Sequence, residues 1–498
     1  MKVIYRGKLG CRIIPYKKKQ SSAIEKNTAL YDKVYHKWIE YTGFTLPYRG
    51  EMGYFTYNRD YSDLAKIFPS YTIEKMECVG SHTFTKPIQL TNLDNFWEAQ
   101  SEIIGKIEAT KRHENVWFVN LQTGQGKTIL TTYLSTVFNL KTWILCFSDD
   151  ILEQWYDCYC EKTNIDPKRI LRVTGDIIDR ILVGKIEPYE YDVFMCTPTL
   201  LDRFGARRSD YSRIADLFEK CGIGFLIYDE AHRNVSNIVK LTSVMDIRYQ
   251  IYLSADFGQG SYDKEMMYKE IFRNVPVLTP SKSLQVSLKY TKLVVINYNT
   301  HPSAVEEAAP FNKYGYNPEL YMRYQFKKKT LLDAIQYVLN IFVIPDKNHR
   351  ALILFTNIEH VDAMYDILEK RYPDLPIGKY HGGVSIESKL RTKEFAKVIV
   401  ATYSSFSTGL DAKDIKYVFS TNQCNKVMDN QSAGRARPLS DGSDAMYFMF
   451  VDNGFTYCKK KLKIRLAYLT ETKAKDDNPY TFTYHPDVHG RGENLNGK

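Results

Sequence analysis

The chain has 498 residues, 44% hydrophobic and 25% charged, which fits globular domains with real cores and excludes a disordered or fibrous chain. Its 68 Lys and Arg against 58 Asp and Glu leave a formal charge of +10, a basic excess that suits a polyanionic partner without requiring one. No apolar run is long enough to span a membrane, and the opening MKVIYRGKLGCRIIPYKKK lacks the apolar core of a secretory signal, so a cytosolic location and no membrane partner are expected.

Residues 1–95 are aromatic and basic without a nucleotide motif, and are expected to form a small α+β accessory domain that binds nucleic acid. From Phe96 short apolar runs alternate with helical stretches. Strands are expected at Val116 to Leu121, Trp143 to Phe147, Tyr191 to Cys196, Phe225 to Tyr228 and Gln250 to Leu253. Ile129 to Phe138 and Ile151 to Glu161 read as helices between them. This alternation predicts α/β architecture, a parallel sheet covered on both faces, over residues 96–290. Cys158 and Cys160, the only close pair among nine cysteines, lack a second pair at zinc-finger spacing and are expected to be reduced thiols.

The pattern recurs over 291–455, with strands expected at Leu293 to Tyr298, Ala351 to Phe355, Gly378 to His381, Val398 to Ala401, Tyr417 to Phe419 and Met446 to Val451. Thr300 to Lys329, with Pro302, Pro310 and Pro318, reads as an irregular insertion. Residues 456–498 read as a basic tail in which KKKLKIR, Lys459 to Arg465, is either a solvated helix face or a contact to phosphates.

Two motifs carry chemistry. LQTGQGKT, Leu121 to Thr128, stands between an expected strand and helix, the context of a phosphate-binding loop, although Leu121 occupies the position of that motif's first glycine. Thr123, Gly124, Gln125 and Gly126 would turn backbone N–H groups onto phosphates at a helix N-terminus. Lys127 would neutralise the β- and γ-phosphates, and Thr128 would ligate Mg²⁺. FLIYDEAH, Phe225 to His232, delivers Asp229 and Glu230 from the carboxyl end of a strand. Asp229 would hold Mg²⁺ and Glu230 would orient and deprotonate the attacking water; the plain alternative is an acidic helix cap.

Over residues 96–455 the chain resembles the superfamily 2 helicases and translocases of the DEAH type. TGQGKT and DEAH look like motifs I and II, and LSAD, Leu253 to Asp256, like motif III with Asp256 departing from the usual pattern. The resemblance implies two tandem RecA-like lobes, ATP with Mg²⁺ as cofactors, and coupling through His232, Ser254 and Ala255. ILEQW (Ile151 to Trp155) and CTPTLL (Cys196 to Leu201) are similar to segments around motifs Ia and Ib, which implies strand contacts by Ser148 and Thr197. LILFTN (Leu352 to Asn357), YHGG (Tyr380 to Gly383) and ATYSSFSTGLD (Ala401 to Asp411) resemble motifs IV, IVa and V. They imply nucleic-acid contacts by Thr356, Thr402 and Thr408, and ATP-linked positions at Gly409 and Asp411. QSAGRARP, Gln431 to Pro438, resembles motif VI: Gln431, Gly434 and Arg435 match, the last family arginine falls on Pro438, and either Arg435 or Arg437 would be the arginine finger. FWEAQ, Phe96 to Gln100, offers Gln100 to the adenine edge, with Trp97 either a stacking platform or core.

The layout is similar to that of bacteriophage branch-migration helicases, which implies remodelling of forks, Holliday junctions or R-loops, with single-stranded or branched DNA as the partner. A motor acting on RNA or in transcription, and a nucleotide-dependent scaffold that does not unwind, are the alternatives.

Overall fold

A computed structural model describes residues 80–254 (without 92–94, 122–124 and 234), 272, 275–281, 284 and 291–489 (without 314, 407–411, 413, 424–425, 437–438, 440 and 477). Of residues 1–79 it describes seven strands and Arg49. The chain divides into two compact units, Met1–Ser281 and Lys282–Lys498.

The first unit begins with β1 (Lys2–Tyr5), β2 (Cys11–Ile14), β3 (Leu30–Asp32), β4 (Lys37–Ile39), β5 (Gly43–Tyr48), β6 (Glu51–Thr56) and β7 (Thr72–Lys75). Five of them form a sheet in the order β5-β6-β2-β1-β7, antiparallel except where β1 meets β7. The turn after β5 is tied to the following domain: Tyr211 N–H donates to Pro47 O at 3.0 Å, and Arg49 N–H to Asp210 Oδ1 at 3.0 Å.

That domain is built on β8 (Val116–Asn120), β9 (Thr142–Leu145), β10 (Ile170–Arg172), β11 (Val193–Cys196), β12 (Phe225–Tyr228), β13 (Tyr249–Ser254) and β14 (Val277–Leu278). They form one parallel sheet in the order β10-β11-β9-β12-β13-β8-β14. The runs TWIL, VFMC and FLIY are buried at every position, as strands covered on both faces must be. Alternate residues feed opposite layers. Trp143, Leu145, Phe194, Leu226 and Tyr228 join a core with Ile178, Leu201, Leu217 and Leu241, whereas Ile144, Met195, Phe225 and Ile227 join one with Ile103, Leu134, Leu152 and Trp155. Each large apolar side chain so enclosed contributes about 1.5–3 kcal/mol.

The expected domain boundary at residue 95 is too late. Phe84 and Ile88 are core residues of this sheet domain. His82 N–H donates to Gly222 O, Lys141 N–H to His82 O, and Asp192 takes both the N–H and the hydroxyl of Thr85. The segment from Gly80 supplies a layer that the strands alone would leave open.

The second unit carries β15 (Thr291–Tyr298), the small hairpin of β16 (Phe311–Asn312) and β17 (Gly315–Tyr316), then β18 (Arg350–Phe355), β19 (Ile377–Tyr380), β20 (Val398–Thr402), β21 (Ile415–Ser420), β22 (Ala445–Asp452) and β23 (Tyr480–Thr483). Seven form a second parallel sheet, β19-β20-β18-β21-β22-β15-β23. The two tandem RecA-like α/β lobes are therefore present. The expected insertion at 300–329 is ordered: Pro318 opens the helix Pro318–Lys328, and the Asn317 side chain caps it by accepting from Glu319 and Leu320 N–H. Two stretches of the expected tail are likewise part of the fold. Thr456–Thr472 is a helix on the second lobe, and β23 pairs with β15. No helix among the described residues is long and apolar enough to cross a membrane.

Candidate nucleotide and nucleic-acid site

β8 ends at Asn120, and the helix Lys127–Phe138 begins seven residues later, its N-cap Gly126 at φ +72°, ψ +33°. That left-handed conformation suits glycine, and a side chain at 126 would run into the Gln100 amide. Gln100, 4% exposed, donates to Gln125 O at 3.4 Å and Gly126 O at 3.1 Å, while its oxygen accepts Trp97 N–H at 2.9 Å. Its side chain thus braces the loop. Trp97 is exposed, not core, and its ring approaches position 126. Thr123 and Gly124 lie outside the described residues.

Lys127, in the first turn, reaches Glu230 Oε1 at 3.0 Å, although the two stand 103 positions apart. Glu230 follows directly on Asp229, beyond β12, at φ +50°. Asp229 is fixed three ways: its N–H donates to Leu145 O at 2.9 Å, Oδ1 accepts Glu230 N–H at 2.9 Å, and Oδ2 accepts the Trp155 indole N–H at 2.9 Å. Two adjacent carboxylates in a poorly hydrated place push each other apart in acidity. Desolvation, then the Glu230 charge, raises Asp229 above the ordinary carboxylate range. Desolvation would raise Glu230 too, but the Lys127 ammonium and then His232 outweigh it and hold Glu230 below that range.

His232 Nδ1 lies 3.2 Å from Glu230 Oε2 and 2.9 Å from Ser254 Oγ, the last residue of β13. The contact to Ser254 is a hydrogen bond, whereas the one to Glu230 is a close approach of ring and carboxylate. Ser254 is thereby bonded to the ring that stands beside the Glu230 carboxylate, while Ala255 and Asp256 lie outside the described residues.

The Asp229 carboxylate meets the requirements of a Mg²⁺ ligand. Among the described residues, the donors above take two of its roughly four acceptor positions, one on each oxygen, and Thr128 stands in the first turn of the helix Lys127–Phe138. All these groups sit at the carboxyl ends of parallel strands, where open α/β sheets bind ligands.

Ser148 and Thr197 occupy the N-cap positions of Asp149–Lys162 and Pro198–Arg207, on that same edge after β9 and β11. Thr197 Oγ1 accepts Leu200 N–H at 3.3 Å. In the second lobe Thr356 follows β18 and Thr402 ends β20, in adjacent strands. Thr356 Oγ1 accepts from Asn422 Nδ2 at 2.6 Å, and buried Thr402 lies 3.2 Å from Ser404 Oγ. Half-buried Gln431 lies in the helix Lys426–Ala433; Arg435 stands just beyond it, its N–H donating to Ser432 O. Thr408, Gly409, Asp411 and Arg437 lie outside the described residues.

Arg465 is neither a solvated face nor a phosphate contact. It is 2% exposed and grips Asp429 of that helix with Nε at 2.8 Å and Nη2 at 2.7 Å, its other donors reaching Asn422 O and Ser420 Oγ. The basic character of KKKLKIR gave no hint of this inward arginine. Trp155 was visible only as the end of ILEQW.

Residues 89–258 match the family model described as Type III restriction enzyme, res subunit. A protein of Acanthamoeba polyphaga mimivirus designated an ATP-dependent RNA helicase is 22% identical over 332 residues, covering 63% of this chain and 55% of that protein. The chain thus spans about half the length of this curated relative. The structure of S. cerevisiae Dbp5 bound to RNA and ADP BeF3 matches with a TM-score of 0.52 at 14% identity, over 78% of this chain and 96% of that one. T4 UvsW aligns over 97% of this chain and 99% of its own, at 14% identity and a TM-score of 0.32, too low to carry a fold argument. The likeness to the Dbp5 structure is one of fold.

Proposed function

We propose that this chain is an ATP-hydrolysing nucleic-acid motor of the superfamily 2 kind. The observation that carries the reading is the meeting of Lys127 with Glu230 beside Asp229, three groups from two distant segments at one sheet edge. An incoming γ-phosphate competes with Glu230 for the Lys127 ammonium. Glu230, freed and ionised, accepts a proton from water as the water attacks the γ-phosphorus and the bond to the β–γ bridging oxygen breaks. Mg²⁺, held by Asp229 and Thr128, would neutralise charge on the β- and γ-phosphates. In this reading Trp97 offers the base a stacking surface.

His232, 3.2 Å from Glu230 and hydrogen-bonded to Ser254, would give this chemistry a route to β13. Ser148, Thr197, Thr356 and Thr402 would meet the phosphodiester backbone, which positions a strand without reading its sequence. The substrate we favour is branched DNA, on the basis of the layout and the basic charge. RNA is the second reading, favoured by the designation of the mimivirus relative.

The test is ATP turnover with single-stranded, duplex and forked DNA and with RNA. Forked DNA is expected to stimulate most; stimulation by RNA alone would replace the DNA reading. Lys127→Ala should lower stimulated turnover by at least about a hundredfold, and normal turnover in that variant would overturn the ATP assignment.

A further inference from the structure

Trp155 does more than fill the core. The helix Asp149–Lys162 buries Ile151, Leu152, Trp155 and Tyr159 along one face, and shape alone would be satisfied there by any large apolar side chain. What Trp155 adds is a single polar atom. The indole is 1% exposed, and its N–H, which can only donate, ends 2.9 Å from Asp229 Oδ2. Asp229 Oδ1 is held from another direction by Glu230 N–H, so the two donors take one oxygen each and fix the rotation of the carboxylate.

The same strand-to-helix unit also holds the Asp229 backbone. Leu145, last residue of β9, accepts Asp229 N–H at 2.9 Å, and the helix carrying Trp155 begins four residues later. One continuous segment therefore grips Asp229 by its backbone and its side chain, across 74 residues of sequence for the indole contact.

We infer that Trp155 is a positioning residue for the divalent cation of the nucleotide site: its indole N–H aims the Asp229 carboxylate so that the acceptor positions left on it face the ion. This inference rests on the nucleotide reading above. It predicts a specific failure when the N–H is removed and the ring kept. The cation loses an oriented ligand, while the loop, Lys127 and the base-binding surface stay as they are.

The experiment measures ADP affinity by calorimetry with Mg²⁺ and with EDTA, for the wild-type chain and for Trp155→Phe. The wild type should show a Mg²⁺-dependent gain in affinity. In Trp155→Phe that gain should fall roughly tenfold, the size expected for one hydrogen bond to a charged group, with EDTA affinity unchanged within about twofold. The Mg²⁺ midpoint for ATP turnover should rise by a similar factor. Because Phe is smaller than Trp, a second variant carries benzothienylalanine at position 155, which keeps the bicyclic shape and replaces the N–H by sulfur; it should behave as Trp155→Phe does. A full Mg²⁺-dependent gain in the benzothienylalanine chain would overturn the inference and leave Trp155 a packing residue. Absence of any Mg²⁺-dependent gain in the wild type would instead overturn the nucleotide reading itself.

Discussion

Glu230 holds a left-handed backbone conformation, φ +50°, that costs a non-glycine residue on the order of 1–2 kcal/mol. The turn that follows is fixed by its surroundings: Ala231 N–H donates to Leu253 O, and Arg233 N–H to Glu230 O. What the conformation achieves is a sharp change of direction, which lays Glu230 N–H on Asp229 while its carboxylate faces Lys127 and His232. His232→Ala would remove the ring between Glu230 and Ser254, with its hydrogen bond to Ser254, and leave the carboxylates and Lys127 in place. Strand separation per ATP hydrolysed should then fall about tenfold, within the usual range of coupling energies, while stimulated turnover changes less than about threefold. Equal loss in both assays would show that His232 serves hydrolysis alone. Lys127, Asp229 and Glu230 were legible because each lies in a compact pattern with a chemical reason for its spacing. Trp155 and Arg465 were not, because their polar partners lie 74 and 36 positions away and no local pattern marks either side chain as inward.

Elements buried on both faces announce themselves as continuous apolar runs, which is why the central strands of both sheets could be placed from sequence. Edge strands do not. β23 reads YTFT with every residue exposed, and nothing in such a run separates it from loop. Pro318 misled for a different reason: proline ends a helix from within but is well suited to start one. Neither the tail nor the insertion had a motif to reveal its packing. The approach to β18 rests on a charge hub that composition could not show. Asp346 accepts the Tyr417 hydroxyl at 2.7 Å, His349 Nδ1 at 2.9 Å and the N–H of Asn348 at 3.0 Å. Desolvation works to raise this carboxyl, but the Tyr417 and His349 hydrogen bonds outweigh it and hold it well below the usual range. A carboxyl depressed in the folded state stabilises it above the unfolded value, near pH 3.9, and loses that contribution as pH falls toward the folded value. Asp346→Asn should therefore cost about 2 kcal/mol in chemical denaturation at pH 7, and the gap from wild type should narrow between about pH 4.5 and pH 2.5. A gap that holds constant through this window would remove the carboxylate from the account.

At the scale of the whole chain, the two-lobe division was legible from the repeat of strand and helix, with the phosphate loop in the first lobe alone. The start of the first lobe was not, because residues 80–91 join it through backbone hydrogen bonds and two apolar side chains without forming a helix or a full strand. A chain starting at Gly80 should keep the basal ATP turnover of the full chain within about twofold and lose affinity for forked DNA. A chain starting at Phe96 removes Phe84 and Ile88 from the core and both Thr85 hydrogen bonds from Asp192, which should cost at least about 3–5 kcal/mol and show as a lower melting temperature. If both truncations melted alike, the segment would belong with the accessory strands after all.

The position of β15 has a consequence for how the protein is made. It is the first strand of its lobe to leave the ribosome, yet its two neighbours, β22 and β23, come last. The strand ends at Tyr298 and β22 begins at Ala445, so at ~5–20 residues per second the nascent chain carries β15 for roughly 7–30 s before either neighbour exists. Its sequence, TKLVVINY, is apolar and β-branched, the kind of segment that pairs with whatever edge it meets. Shielding during synthesis is thus a requirement that the strand order itself imposes, and the yield of soluble chain should be governed by this interval more than by the stability of the finished lobe.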